Sequence, residues 1–133
     1  MRLLRFSLPA FYAVALALGL STGCGWGVAS ISDQELLARM GASDPPLVLD
    51  VRSPKEYAAG HITGAVNLPY DQVEERVGEL GPSRDRPVVV YCEHGPRAFL
   101  ALGALEDAGF RDLRHLDGDM SGWRKKQLPC TGC

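Results

Sequence analysis

The sequence predicts a single α/β domain with a parallel sheet that carries helices on both faces. Short apolar segments alternate with segments that bear helix-start signals, which is the order of successive βαβ units. Residues 87–91 (PVVVY) are apolar at every position, as expected of a strand that is buried on both faces. The 133 residues of the chain are enough for one domain of ordinary size.

Local signals predict the individual elements. The segments SDQE (32–35) and SPKE (53–56) both have the capping-box pattern, and each predicts a helix that ends at the next glycine, Gly41 or Gly60. Asp71 is expected to cap a further helix. The remaining expected elements are strands at 47–51, 65–68, 87–91 and 113–116, a helix at 97–108, and a turn with a short helix at 118–126.

The composition excludes several classes of protein. Apolar residues make up 46% of the chain and charged residues 23%, which is unlike a disordered, collagen-like or coiled-coil sequence. The formal net charge of −2 does not indicate a basic surface, so no nucleic-acid partner is expected. The 4 cysteines, at positions 24, 92, 130 and 133, are too few and too unevenly placed for a disulfide scaffold.

Residues 1–23 are predicted to be a signal peptide. Two arginines are followed by a nearly uninterrupted apolar run over residues 8–20, which is shorter than the roughly 20 residues of a membrane span. The segment LSTGC at 20–24 resembles the lipobox of bacterial lipoproteins, although Ser21 stands where leucine is usual. The resemblance implies that Cys24 carries a lipid, which anchors the protein to a membrane without spanning it.

Ordinary signal-peptide cleavage after Ser30 is the alternative. In both cases the domain is exported, and the expected location is the periplasm or the cell envelope. Residues 24–30 are then a linker, residues 31–129 form the folded domain, and residues 130–133 are a C-terminal tail.

The loop after the most buried strand carries the candidate chemistry. Cys92 ends that strand, and the functional sites of parallel sheets lie beyond the carboxyl ends of the strands. Because a helix follows, backbone N–H groups and the helix dipole favour the thiolate form of the cysteine. Arg97 is permanently charged and can bind an anion. The segment therefore predicts a nucleophilic cysteine inside an anion-binding loop.

Three motifs occur in order and at regular spacing: LVLDVR at 47–52, GHI-x-GA-x-N-x-P at 60–69 and C-x4-R at 92–97. Together they resemble the single-domain rhodanese-like sulfurtransferases, over residues 31–129. The resemblance implies that Cys92 accepts a sulfane sulfur as a persulfide and passes it to a thiophilic acceptor such as cyanide or a thiol. It implies no cofactor.

The resemblance also implies a donor site. A small sulfur-containing anion would be held by the loop residues Glu93, His94, Gly95, Pro96 and Arg97. The loop from Cys92 to Arg97 has six residues, the sulfurtransferase length, whereas the related phosphatases and arsenate reductases have one more. Phosphate chemistry is therefore not expected.

Two loop residues depart from an ideal anion site. Pro96 has no N–H to donate, and Glu93 brings a negative charge that His94 offsets only when it is protonated. The donor therefore stays open between thiosulfate and a persulfide or polysulfide.

The other polar residues of the motifs are expected to serve structure. Asp50 should accept hydrogen bonds from loop amides and Arg52 should pair with a carboxylate, with a supporting role near Cys92 as the alternative. His61 is expected to be a packing residue. The histidines show no metal-ligand spacing, so no metal site is expected.

Cys130 and Cys133 form a C-x-x-C pair in a tail that is expected to be mobile. In an exported protein the favoured interpretation is that the two cysteines form a disulfide bond, and the alternative is a dithiol that takes sulfur from Cys92. Two other functions stay open. One is a non-catalytic rhodanese-fold module that binds a partner or delivers sulfur, and the other is a thiol–disulfide redox protein that uses this pair.

Overall fold

The computed structural model describes residues 27–133. The predicted signal peptide, the lipobox and Cys24 lie outside the described residues. The elements are β1 (Ala29–Ile31), α1 (Asp33–Met40), β2 (Leu47–Asp50), α2 (Pro54–Ala58), β3 (His61–Ile62), β4 (Val66–Asn67), α3 (Val73–Arg76), β5 (Val88–Tyr91), α4 (Pro96–Asp107), β6 (Leu113–Leu116), α5 (Asp119–Lys125) and β7 (Cys130–Thr131).

Five strands form a parallel sheet in the order β1-β6-β5-β2-β4, which confirms the predicted fold class. All four residues of the central strand β5 are buried, as their apolar character predicts. Asp50 at the end of β2 lies in register with Tyr91 at the end of β5. Arg52 and Cys92, which follow these strands, are therefore brought to the same edge of the sheet.

Each face of the sheet is covered by helices. Val73 of α3 and Leu102 and Leu105 of α4 pack into a buried cluster on one face. Leu36 of α1 and Trp123 of α5 belong to the cluster on the other face. Trp123 is a core residue at 2% exposure. No helix within residues 27–133 has both the length and the apolar character needed to cross a membrane.

The predicted linker at 24–30 is wrong at its carboxyl end. Ala29 and Ser30 belong to β1 and lie in parallel register with Arg114 and His115 of β6. They give the outer edge of β6 a backbone partner. A three-residue strand has no periodic pattern to reveal it, so the sequence placed the domain boundary two residues too late.

The expectation of a mobile tail is also wrong. β7 pairs antiparallel with β3, and Thr131 Oγ1 donates a hydrogen bond to Thr63 Oγ1 at 3.2 Å. Cys130 and Cys133 are joined by a disulfide bond, with their Cα atoms 5.8 Å apart. Backbone pairing and the disulfide together hold the last residues against the α2–β3 connection.

Two helix signals behave differently from expectation. Ser32 Oγ accepts the N–H of Glu35 at 3.2 Å, but the Glu35 carboxylate pairs with Arg39, so the first capping box is half formed. The second box, between Ser53 and Glu56, is complete. Asp71 caps no helix, because it lies within a 3-10 turn, and the region up to Leu80 contains only four α-helical residues flanked by such turns.

Candidate active site

Cys92 lies directly after β5 and is 1% exposed. Its Sγ accepts a hydrogen bond from the backbone N–H of Gly95 at 3.0 Å, so the loop folds back over the sulfur. Gly95 has a φ of +116°, a backbone conformation that residues with a side chain rarely adopt. Within residues 27–133, Cys92 is the cysteine that carries a free thiol. The structure thus contains the predicted nucleophile inside a turn of backbone.

Arg97 lies in the first turn of α4, and its guanidinium donates to both carboxylate oxygens of Glu56, each at 2.8 Å. Hydrogen bonds from Arg97, and less so from Ser53, hold the pKa of Glu56 well below its usual range despite partial burial. Glu56 in turn raises the pKa of Arg97, and Cys92 adds to this effect. The predicted anion-binding arginine is therefore already paired with a carboxylate beside Cys92.

The carboxylate of Glu93, the residue after Cys92, forms ion pairs with two arginines. Its Oε2 accepts from Arg52 Nη1 at 3.1 Å, and its Oε1 accepts from Arg124. Two guanidiniums therefore compensate the negative charge that sequence analysis assigned to the neighbourhood of Cys92.

Asp50 and Arg52 are buried, at 0% and 2% exposure, and they bind each other. Arg52 donates from Nη2 to Asp50 Oδ2 at 2.7 Å, and its backbone N–H donates to Asp50 Oδ1 at 2.9 Å. Burial alone would lower the pKa of Arg52, but its hydrogen bonds with Asp50 raise it above the ordinary value. Arg52 also contacts Glu93, so the pair has the expected structural partners and supports the cysteine loop as well.

Asp119 and His115 are site residues that sequence reasoning missed. The Cys92 N–H donates to Asp119 Oδ1 at 2.9 Å, and His115 Nε2 lies 3.1 and 3.0 Å from the two Asp119 oxygens. Asp119 is 3% exposed. No periodic pattern links positions 92 and 119, because the contact arises from the turn between β6 and α5.

The structure also shows where His94, Pro96 and His61 lie. His94 is exposed, and Pro96 is the first residue of α4, where its missing N–H leaves no helical bond unmade. His61 stacks on Tyr57 with ring centroids 3.7 Å apart, and its Nδ1 lies 2.9 Å from Tyr57 O. No group of three or more His, Cys, Asp or Glu residues within 27–133 is placed to hold a metal ion.

A cleft opens beside Arg97, between the loop that follows β2 and the loop that follows β4. Its lining residues are Ser53, Pro54, Pro69, Tyr70, Asp71, Gln72 and Arg97. Both loops lie at the carboxyl ends of parallel strands, where α/β proteins bind their ligands. The side chain of Arg97 is thus accessible to solvent through this cleft.

Comparisons with known proteins agree with this geometry. Residues 32–126 match the family described as Rhodanese-like domain. The chain is 32% identical over 102 residues to a sulfurtransferase of Allochromatium vinosum, covering 77% of this chain and 94% of that protein. It is 42% identical over 103 residues to an HTH-type transcriptional regulator of Mycobacterium tuberculosis, covering 75% of this chain but only 43% of the regulator.

A solved structure shares the fold. The crystal structure of a thiosulfate sulfurtransferase from Pseudomonas aeruginosa superposes with a TM-score of 0.72 at 32% identity, covering 77% of this chain and 20% of that one. A parallel sheet, a buried cysteine after its central strand and a family match over most of the domain lead to one conclusion: the chain belongs to the rhodanese-like domain family, which includes proteins named sulfurtransferases.

Proposed function

We propose that this protein is a sulfurtransferase in which Cys92 carries the transferred sulfur as a persulfide. The observation that carries the proposal is the hydrogen bond from the Gly95 N–H to the Cys92 sulfur at 3.0 Å, inside a loop that ends at Arg97. A donor directed at this sulfur stabilises a thiolate or a persulfide anion. The match to relatives named sulfurtransferases supports the same activity.

The reaction has two steps at one sulfur atom. The Cys92 thiolate attacks the sulfane sulfur of the donor, the donor's S–S bond breaks, and its electron pair leaves on sulfite or on a thiolate. An acceptor such as cyanide or a thiol then attacks the outer sulfur of the persulfide. The electron pair of that second S–S bond returns to Cys92 as thiolate, so neither an oxidant nor a cofactor is needed.

The charges around the cysteine loop affect which sulfur donor the site favours. Thiosulfate and a persulfide or polysulfide both fit the proposal, but the guanidiniums that hold the loop are all paired with carboxylates. The three guanidiniums pair with three carboxylates: Arg52 with Asp50 and Glu93, Arg97 with Glu56, and Arg124 with Glu93. A further carboxylate, Asp119, contacts the Cys92 N–H and His115, so these three arginines offer the donor no unpaired positive charge. This balance favours a thiol-borne persulfide, with its smaller charge, over the thiosulfate dianion.

We also propose that the protein is exported and anchored by a lipid on Cys24. The proposal rests on the sequence of residues 1–24. One structural fact supports it over cleavage after Ser30. That cleavage would remove two of the three residues of β1, whereas processing before Cys24 leaves the whole strand.

Intact-mass measurement tests the sulfur-transfer proposal. Incubation with thiosulfate or a polysulfide should add the mass of one sulfur atom to the wild type and none to Cys92→Ser. Release of the sulfur to cyanide or a thiol should restore the original mass. Unchanged sulfur loading in Cys92→Ser would refute the role of this residue. If the wild type takes up sulfur from neither donor, sulfur transfer is refuted. The alternative that then remains is a non-catalytic rhodanese-fold module that binds a partner.

A further inference from the structure

Asp119 has a backbone conformation that is uncommon for a residue other than glycine. It is the first residue of α5 and has a φ of +52°, in the left-handed region that glycine adopts without strain. Gly118 before it also has a positive φ, of +81°. Strained residues of this kind persist only where surrounding contacts hold them, and they concentrate at functional sites.

Besides its contact with His115, Asp119 and the two residues after it bind the cysteine loop. Its Oδ1 accepts the Cys92 N–H at 2.9 Å, and the next residue, Met120, donates its backbone N–H to Cys92 O at 3.0 Å. The N–H of Ser121 donates to Glu93 O at 3.3 Å. The start of α5 therefore binds both the donor and the acceptor group of the Cys92 backbone.

Asp119 and His115 also lie beneath the turn at Gly95. A Cβ atom on Gly95 would lie 3.4 Å from Asp119 Oδ2 and 4.0 Å from His115 Cε1. The ring of His115 packs on Phe99, with centroids 4.6 Å apart. Because the Gly95 N–H meets the Cys92 sulfur, the position of this turn determines the hydrogen bond on the nucleophile.

We propose that Asp119, held by His115, is a positioning residue for sulfur transfer. It keeps Cys92 and Gly95 in the arrangement in which the Gly95 N–H meets the cysteine sulfur. The proposal rests on the sulfurtransferase function proposed above. It explains why a carboxylate occupies a left-handed backbone position: its side chain satisfies the buried N–H of the nucleophile, which glycine cannot do.

The test compares Asp119→Gly with Asp119→Asn in the full chain. Glycine adopts the required φ but removes the acceptor, whereas asparagine also tolerates this φ and keeps an oxygen for the Cys92 N–H. We expect Asp119→Gly to lower kcat about tenfold with KM changed less than about twofold, because Arg97 and the loop amides remain. Asp119→Asn should stay within about threefold of wild type. Asp117→Gly is the matched control, since Asp117 is exposed and should tolerate the change.

Amide hydrogen exchange gives a readout that does not depend on turnover. In Asp119→Gly the Cys92 amide should exchange at least about a hundredfold faster, while the amides of β5 keep their protection. Wild-type kcat together with wild-type exchange at Cys92 in Asp119→Gly would overturn the proposal. If that variant does not fold, His115→Phe decides. It keeps a ring against Phe99 but removes the nitrogen, and an unchanged kcat would overturn the proposal.

Failure of the proposed function would look different. A wild type that takes up no sulfur from thiosulfate or polysulfide would refute sulfur transfer itself. Exchange at the Cys92 amide would then still measure whether Asp119 positions the loop.

Discussion

Arg97 and Glu56, which are 41 positions apart, form a bidentate ion pair in which Nη1 and Nη2 of the arginine each lie 2.8 Å from a different carboxylate oxygen. Glu56 is at the same time the acidic member of the capping box of α2, through its bonds to Ser53. One carboxylate therefore joins the start of a helix to the end of the cysteine loop. This arrangement makes the loop arginine both a structural and an electrostatic part of the site.

Arg97→Ala should weaken an anionic donor more than a donor of lower charge. We expect kcat/KM to fall about tenfold with thiosulfate and about threefold or less with cysteine persulfide, because the guanidinium interacts mainly with charge. Arg76→Ala is the matched control, since Arg76 pairs with Glu79 on the exposed surface. Equal losses with both donors would contradict a role for Arg97 in recognising charge.

The lowered pKa of Glu56 predicts a loss of stability in acid. The ion pair contributes fully above the unfolded-state pKa of about 4.3, and its contribution is lost as the pH falls through the lower folded-state pKa. Thermal unfolding of Glu56→Gln should therefore depend less on pH below about 5 than that of the wild type. Because the two side chains are 30% and 36% exposed, we expect a difference on the order of 1 kcal/mol or less.

Glu79→Gln is the control for that experiment. Its pKa is also lowered, by Arg76, but the pair lies on the surface, where solvent screens it. The two variants should therefore differ in their acid profiles, and identical profiles would mean that the Glu56 pair adds nothing beyond a surface ion pair.

Gly95→Ala should disturb the site and the fold together. The φ of +116° disfavours any side chain, and the new Cβ would lie in van der Waals contact with Asp119 Oδ2, at 3.4 Å. We expect a loss of about 1–2 kcal/mol in the free energy of unfolding, with reduced sulfur loading of Cys92. Gly103→Ala, in α4 with open space around the Cβ position, should instead stabilise the protein by about 0.5–1 kcal/mol. Urea unfolding of both variants measures the contrast.

The C-terminal disulfide should contribute to stability and not to sulfur transfer. The loop closed between Cys130 and Cys133 is short, so replacing both cysteines by serine should cost about 2 kcal/mol or less. Truncation after Pro129 should leave persulfide formation on Cys92 intact. Discharge of that persulfide without added thiol should also keep its rate. Slower discharge in the truncated protein would instead support a resolving role for the reduced pair.

Lipidation at Cys24 predicts where the protein is found in a Gram-negative host. The wild type should fractionate with membranes, and Cys24→Ser should be released or should remain unprocessed. The amino-terminal residue of the mature protein distinguishes the two processing sites. A soluble mature protein that begins at Ile31 would show cleavage after Ser30, with most of β1 removed.

The predicted strands and helices that the structure reproduces are those specified by local chemistry. The all-apolar segment 87–91 could only be stable as a strand with both faces covered, and the SPKE box forms all of its hydrogen bonds within four residues. Cys92 and Arg97 were identified for the same reason, because strand, cysteine, turn and helix follow one another directly in the chain. Information of this kind lies within one short segment, so the sequence alone determined the α/β class and the position of the candidate nucleophile.

Only the tertiary structure decided how the site's charges are paired. Glu93 binds Arg52 and Arg124, Arg97 binds Glu56, and Cys92 binds Asp119, and each of these contacts joins residues at least 27 positions apart. Parallel strands bring such residues to one edge only after the sheet has formed in its particular order. Ion pairs and buried hydrogen bonds act over a few ångströms in space, so no pattern along the chain reports which partners they have.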